Sequence, residues 1–113
     1  MEDCIFCKIV RGEIPSERVL EDDSTIAIRD IDTKAPVHLL VIPRVHVRSF
    51  EDVQQLTPQQ VHDLLQFVVR AAEAAGVRES GYRVMANVGR DAGQAVDHLH
   101  LHILGGTRLA DLV

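Results

Sequence analysis

Tryptophan is absent from this chain, tyrosine occurs once and phenylalanine three times. So few rings leave no stacking platform of the kind that single-stranded nucleic-acid binders use. A run of Lys or Arg is also missing: 12 basic against 17 acidic residues give a formal charge of −5, which repels a phosphate backbone at long range. Polymeric nucleic acid is therefore not an expected partner. Apolar runs are short; Val37 to Pro43, with His38 inside it, falls far below the roughly 20 residues needed to cross a bilayer. A membrane partner is not expected either. The acidic start Met1-Glu2-Asp3-Cys4 lacks the basic region and apolar stretch of a signal peptide, so a cytoplasmic protein is expected. Internal repeats, low-complexity tracts and Pro/Gly/Ser linkers are missing as well, and residues 1–113 read as a single domain.

What is present is enough apolar material, 46% against 26% charged, to build a packed core. Ile5, Phe6, Ile9 and Val10 share one helical face within Cys4 to Arg11, and Gly12 follows as a C-terminal stop. Residues 18–21 and 24–29 flank the turn-prone Asp22-Asp23 and read as a hairpin. Residues 37–42 are β-rich and close at Pro43, as a central strand would. The clearest helix opens at Thr57, with Pro58 at its first position and Gln60 completing a capping box. Val61, Leu64, Leu65, Val68, Ala72 and Ala75 give it one apolar stripe until Gly76, so it should pack on a sheet. Residues 82–87 and 98–104 read as the last two strands, joined by a loop over 88–97 with glycines at 89 and 93. The expected class is α+β: a five-stranded antiparallel sheet with one long and one short helix.

The last strand carries the chemistry. Successive strand residues point to opposite faces, so His98, His100 and His102 share one side while Leu99, Leu101 and Ile103 line the core. Three imidazoles in a row on a surface or cleft can act as bases, nucleophiles or ligands near neutral pH. They could instead simply fill an exposed face. A three-histidine zinc site is a third reading, but positions i and i+4 of a strand lie about 13 Å apart, too far for one ion without a bulge. Nucleophilic chemistry is the better account.

Residues 93–106, Gly-Gln-Ala-Val-Asp-His-Leu-His-Leu-His-Ile-Leu-Gly-Gly, resemble the signature of the histidine-triad (HIT) family in its Hint-like form. The likeness continues through residues 5–9, Gly12-Glu13-Ile14-Pro15, Asp30-Ile31, residues 35–43, His46 and Asn87, covering nearly the whole chain. The resemblance implies a homodimer whose two sheets join and a purine-nucleotide hydrolase or transferase; His102, where the transferase branch usually has glutamine, points to the hydrolase side. By similarity, His100 is the nucleophile that attacks the α-phosphorus to give a nucleotidyl-histidine, His38 orients it by a hydrogen bond, and His102 contacts the phosphate. Asn87, Gly93, Gln94 and Ala95 match positions around the phosphate. Asp30 matches a ribose ligand, and Ile5, Phe6, Ile9, Ile28 and Ile31 match the base pocket. Two departures bear on the leaving group: Ala95 stands where serine is common, and the tail over residues 107–113 lacks the family's tryptophan. The expected substrate is a nucleoside 5′-phosphoramidate or adenylate, with dinucleoside polyphosphate hydrolysis and non-catalytic nucleotide binding as alternatives.

Cys4 and Cys7 form a two-residue-spaced pair, which fits half of a zinc site, a redox dithiol or coincidence. A thioredoxin-like motif should follow a strand, yet only three residues precede Cys4. A structural zinc needs four ligands, and the resemblance, here to the bacterial type, completes the set with His46 and His98. Zinc would then anchor the N-terminal helix, leaving His100 and His102 for chemistry; His62, on the long helix's polar face, has no role.

Overall fold

The chain's computed structural model describes residues 3–111; Met1, Glu2, Leu112 and Val113, which include the last two residues of the tail without tryptophan, lie outside the described residues. The elements in chain order are α1 (Ile5–Val10), β1 (Arg18–Glu21), β2 (Thr25–Arg29), β3 (Val37–Pro43), a short 3₁₀ turn (Phe50–Gln55), α2 (Pro58–Ala74), β4 (Tyr82–Met85) and β5 (Leu101–Gly105). The strands form one antiparallel sheet in the order β1-β2-β3-β5-β4, with β3 central as its composition predicts. Asp22 closes the β1-β2 hairpin, its carboxylate accepting the amide N–H groups of Ser24 and Thr25, each at 2.9 Å. Only the 3₁₀ turn was not foreseen.

The capping box at α2 is complete: the Gln60 amide donates to Thr57 Oγ1 at 3.1 Å while the Thr57 amide donates to Gln60 Oε1 at 2.8 Å. Its buried stripe is shifted from expectation: Phe67 and Ala71 join it, while Val61 and Ala75 are only half-buried. Leu65 is exposed, and Leu64, Phe67, Val68, Ala71 and Ala72 are the buried residues of the helix. They pack on Ala27, Leu39, Val41, Leu101 and Ile103, the residues of one sheet face.

The alternation of the strands then dictates the other face. Ile26, Ile28, Leu40 and Ile42 point away from α2 and form a second, smaller cluster with Phe6 and Ile9 of α1. Six residues are too few for a helix to stand alone. Its ends are fastened: Cys4 Sγ accepts the Cys7 amide N–H, and Arg18 Nη2 donates to the Ile9 and Val10 carbonyls at 2.6 and 3.3 Å.

The histidine run corrects two expectations. Its strand begins only at Leu101, because the ladder with β3 has Val41 opposite Leu101 and two positions further along β3 is Pro43, which has no N–H to give. The Leu99 amide N–H turns to the Val47 carbonyl instead, at 2.7 Å. The histidine side is also not a solvent-facing surface: His98 is 0% exposed and His100 8%, both covered from the α1 side, where Phe6 stands edge-on to each ring. The leucines and isoleucine of the run do face the main core, as expected.

Candidate active site and metal centre

Two groups of imidazoles lie on the α1 face. In the first, Cys4, Cys7, His46 and His98 each present one donor atom, all within 4.8 Å of one another. His98 Nδ1 lies 3.3 Å from Cys4 Sγ, 3.5 Å from Cys7 Sγ and 3.1 Å from His46 Nδ1, and His46 Nδ1 is 3.3 Å from Cys7 Sγ. Zinc bonds of about 2.0–2.3 Å at tetrahedral angles separate their donors by roughly 3.3–3.8 Å, so the quartet nearly fits as it stands. The ring tautomer agrees. His98 Nε2 is 2.8 Å from the Pro43 carbonyl, which can only accept, so Nε2 carries the proton and Nδ1 is left as a lone pair. Burial holds the His98 imidazole below its usual pKa, in the neutral form that a metal requires. Burial, with the Cys4 side chain adding to it, pushes the Cys7 thiol up, and a divalent cation among the donors would supply the charge that stabilises thiolate. These residues can hold a metal ion.

The second group lines a cavity of about 650 Å³, within the range of small-molecule pockets, roughly 300–1,000 Å³. His38, His100 and His102 stand in its wall together with Asp30, Ile31, Ala95, Ile28 and, from α1, Ile5, Phe6 and Ile9. A groove of about 690 Å³ along Ser80, Arg83, Thr107 and Arg108 shares none of these residues and contains no imidazole.

Hydrogen bonds assign the ring protons one by one. The Lys34 amide N–H donates to His38 Nδ1 at 3.1 Å; an amide can only donate, so that nitrogen holds a lone pair and Nε2 holds the proton. His38 Nε2 faces His102 Nδ1 at 2.9 Å and Asp30 Oδ2 at 3.3 Å, two acceptors for one N–H. His102 Nδ1 therefore accepts, its own proton sits on Nε2, and that buried Nε2 has no partner among the described residues. Burial, then the nearby His100 and His38, push the His102 imidazole down to about 4, so it is neutral at pH 7. Burial lowers His38 as well, with Asp30 opposing. His100 Nδ1 lies 2.7 Å from the His98 carbonyl and must donate to it, which leaves the His100 Nε2 lone pair free.

One atom of this group offers an electron pair and another, on the next imidazole, a hydrogen-bond donor; the ring centroids are 5.2 Å apart. Asp30, His38 and His102 also fall within metal-binding reach of one another. A metal on His38 Nε2 would need that nitrogen deprotonated while Nδ1 already accepts an amide N–H. Those three residues form a hydrogen-bond relay rather than a cation site.

The expected partner of His38 needs correcting. It bonds His102, and the His98 carbonyl orients His100, because register puts the β3 position His38 opposite Leu104 and the two imidazoles reach each other diagonally. Three expected binding residues, Asn87, Gly93 and Gln94, are not among those lining the cavity, whereas Ile14, Pro15, Leu40 and Val96 are. The Lys34 amide and the carbonyls of Pro43 and His98 went unnoticed in the sequence because backbone groups carry no residue-type signal; their positions appear only once the chain is folded.

Comparison with known proteins identifies the family of the chain. The family model described as HIT domain matches residues 11–109. A protein named purine nucleoside phosphoramidase from Escherichia coli strain K12 is 40% identical over 112 residues, covering 99% of this chain and 94% of its own. Among solved structures, a histidine triad protein from Clostridium difficile superposes with a TM-score of 0.90 at 40% identity, covering 100% of this chain and 98% of that one. A HIT family hydrolase from Clostridium thermocellum gives 0.89 at 40% identity with the same coverage. With a family model spanning most of its length and relatives at this identity over nearly all of it, the chain belongs to the HIT family.

Proposed function

We propose that this protein is a nucleotide hydrolase that cleaves purine nucleoside 5′-phosphoramidates or related adenylates at the α-phosphorus through a covalent nucleotidyl-His100. The observation that carries the reading is the pairing of a free His100 Nε2 lone pair with an unpartnered His102 Nε2–H on one cavity wall. The name and 40% identity of the Escherichia coli relative support the substrate class.

In the proposed reaction His100 Nε2 attacks phosphorus, a P–N bond forms, and the bond to the leaving amine breaks, the amine taking a proton from solvent water that the later hydrolysis step returns. Water then cleaves the nucleotidyl-imidazole, releasing the nucleoside monophosphate and returning His100. Throughout, the His98 carbonyl holds the Nδ1 proton and supports the positive charge that the ring acquires on attack. His102 Nε2–H donates to a non-bridging oxygen as charge builds there, kept in that tautomer by His38 and, behind it, the Lys34 amide. Asp30 is assigned to the ribose hydroxyls, Ile5, Phe6, Ile9, Ile28 and Ile31 to the base, and Asn87, Gly93 and Ala95 to the phosphate loop.

The four-donor group is assigned to zinc in a structural role: it would fasten the start of α1, whose Phe6 packs 4.9 Å from the His100 ring centre. A homodimer is part of the reading; β4 is a sheet edge with Val84 exposed. So are a single domain and a cytoplasmic location, the latter in keeping with two cysteines outside any disulfide.

Side-by-side kinetics on adenosine 5′-phosphoramidate and diadenosine tetraphosphate, with mass spectrometry of protein quenched early, test the proposal. Expected are preferential turnover of the phosphoramidate and a nucleotidyl adduct missing from His100→Ala. Preference for the dinucleotide would reassign the leaving group, and nucleotide binding with no turnover of either compound would reject the enzyme.

A further inference from the structure

We infer that Gln94, matched by resemblance to a phosphate-contacting position, is instead a positioning residue that staples the loop before the histidine run to the segment carrying His46. The inference rests on the hydrolase reading for its catalytic part and on geometry for the rest.

Both ends of the Gln94 carboxamide are committed. Its Oε1 accepts the Gly89 amide N–H at 3.0 Å, and its Nε2 donates to the Arg48 carbonyl at 2.9 Å and the Val96 carbonyl at 3.0 Å. The Gln94 amide N–H also donates to the Gly89 carbonyl at 3.0 Å, so both backbone groups of Gly89 end on one residue. A carboxamide has two donor hydrogens and one acceptor oxygen; here both hydrogens are used and the oxygen already accepts. No donor is left for a phosphate unless one of these bonds breaks.

Each partner is a different stretch of chain. Gly89 and Gly93, at φ 76° and 78°, are the positions where the loop turns in the left-handed region, and the Gln94 to Gly89 pair locks the ring they create. Arg48 lies two residues beyond His46, and next to this tie the Leu99 amide joins the Val47 carbonyl. The segments 46–48 and 94–99 are thus held together three times: by the His46 and His98 rings, by Leu99 to Val47, and by Gln94 to Arg48. Of the three, Gln94 alone also grips the loop, and its hold on the Val96 carbonyl fixes the peptide plane between Val96, in the cavity wall, and Asp97, which leads into His98.

The roles separate cleanly. Losing Gln94 leaves the metal donors and the Leu99 to Val47 bond in place, so metal content and melting temperature should hold while the wall beside His100 loosens. A displacement of an ångström at a reacting centre costs up to about 100-fold in rate, and a loop still tethered at both ends should lose roughly tenfold.

The test compares wild-type protein with Gln94→Ala, both purified with metal, by hydrogen exchange without ligand, by metal content and by kcat and KM on adenosine 5′-phosphoramidate. The expected result is faster amide exchange across 88–97, unchanged metal and melting temperature, and a roughly tenfold fall carried by kcat rather than KM. Lost activity with unchanged exchange in the free protein would mean that Gln94 acts on the substrate directly, and would overturn the inference. Faster exchange with undiminished kcat would overturn its catalytic half. If the wild-type protein itself turns over no phosphoramidate, the hydrolase reading has failed; the staple is then judged by exchange and AMP affinity, with unchanged values for both rejecting it.

Discussion

The two imidazole groups on the α1 face are built from the same side chain and share a strand segment, yet their chemistries diverge. At His98 the second ring nitrogen donates to a carbonyl, leaving the first bare toward two thiols and another imidazole. At His38 the second nitrogen accepts from an amide, so the first must donate, and the consequence passes to His102 as a proton on its buried outer nitrogen. What leaves one imidazole with a lone pair that a metal could take and makes another a hydrogen-bond relay is the backbone group behind it, a carbonyl of Pro43 in one case and an amide of Lys34 in the other. His100 lies between them and combines both features: a carbonyl behind, and a cavity in front.

The strongest way to break this contrast is to remove the ring that serves neither neighbour. His100→Ala should lose phosphoramidate turnover by more than about 10⁴-fold, as expected for a nucleophile that no neighbour replaces, while metal content by elemental analysis stays at the wild-type value. Next comes the relay. His38→Phe leaves His102 without its donor, and kcat should fall about 100-fold, the scale of one general-acid or oxyanion interaction. His38→Gln, which can still donate to His102 Nδ1, should recover most of the loss in the same assay.

The metal side answers differently. Chelation, or Cys7→Ser, should lower the melting temperature by about 10 °C, the shift that roughly 2 kcal/mol produces in a domain of this size. AMP affinity should weaken through the loosened α1; calorimetry in both states measures it. An unchanged melting temperature would show that the four donors hold no stabilising ion.

Protonation sharpens the contrast further. An unfolded histidine takes up a proton below about pH 6.5, whereas folded His102 resists until about 4, so the folded state binds fewer protons between those values. Its share of stability is complete above the unfolded value and is lost as pH falls toward 4. Urea midpoints at pH 7 and pH 5 should therefore differ less in His102→Gln than in the wild-type protein. On the opposite face of the sheet, Thr57→Ala removes the α2 cap and should cost about 1 kcal/mol in urea denaturation with no change in kcat, the smallest effect and the control for the others.

Much of this was readable before folding. The period of α2, the Asp22 turn and the closing Pro43 identified elements and their order, because each is a local signal with a local cause. The leucines of the histidine run were assigned to the core correctly by alternation alone. The imidazoles opposite them were expected on a surface or cleft; His100 and His102 do line a cavity, but His98 is wholly enclosed and His100 nearly so, because alternation says which face a residue takes and not what covers that face. The cover is α1, attached through contacts distant in sequence, from Cys4 to His98 and Arg18 to the helix end. Likewise the partner of His38 followed from register and from the loop over residues 30–36 folding back to present the Lys34 amide, neither of which has a residue-type signature.

Nitrogen-15 resolved NMR of the histidine rings in the metal-loaded protein, at pH 7 and without nucleotide, reads the protons directly. Among the four imidazoles His38, His98, His100 and His102, the account predicts Nε2–H at His38, His98 and His102 and Nδ1–H at His100. A His100 ring protonated at Nε2, or a His102 ring protonated at Nδ1, would leave no free electron pair beside a free donor and would contradict it.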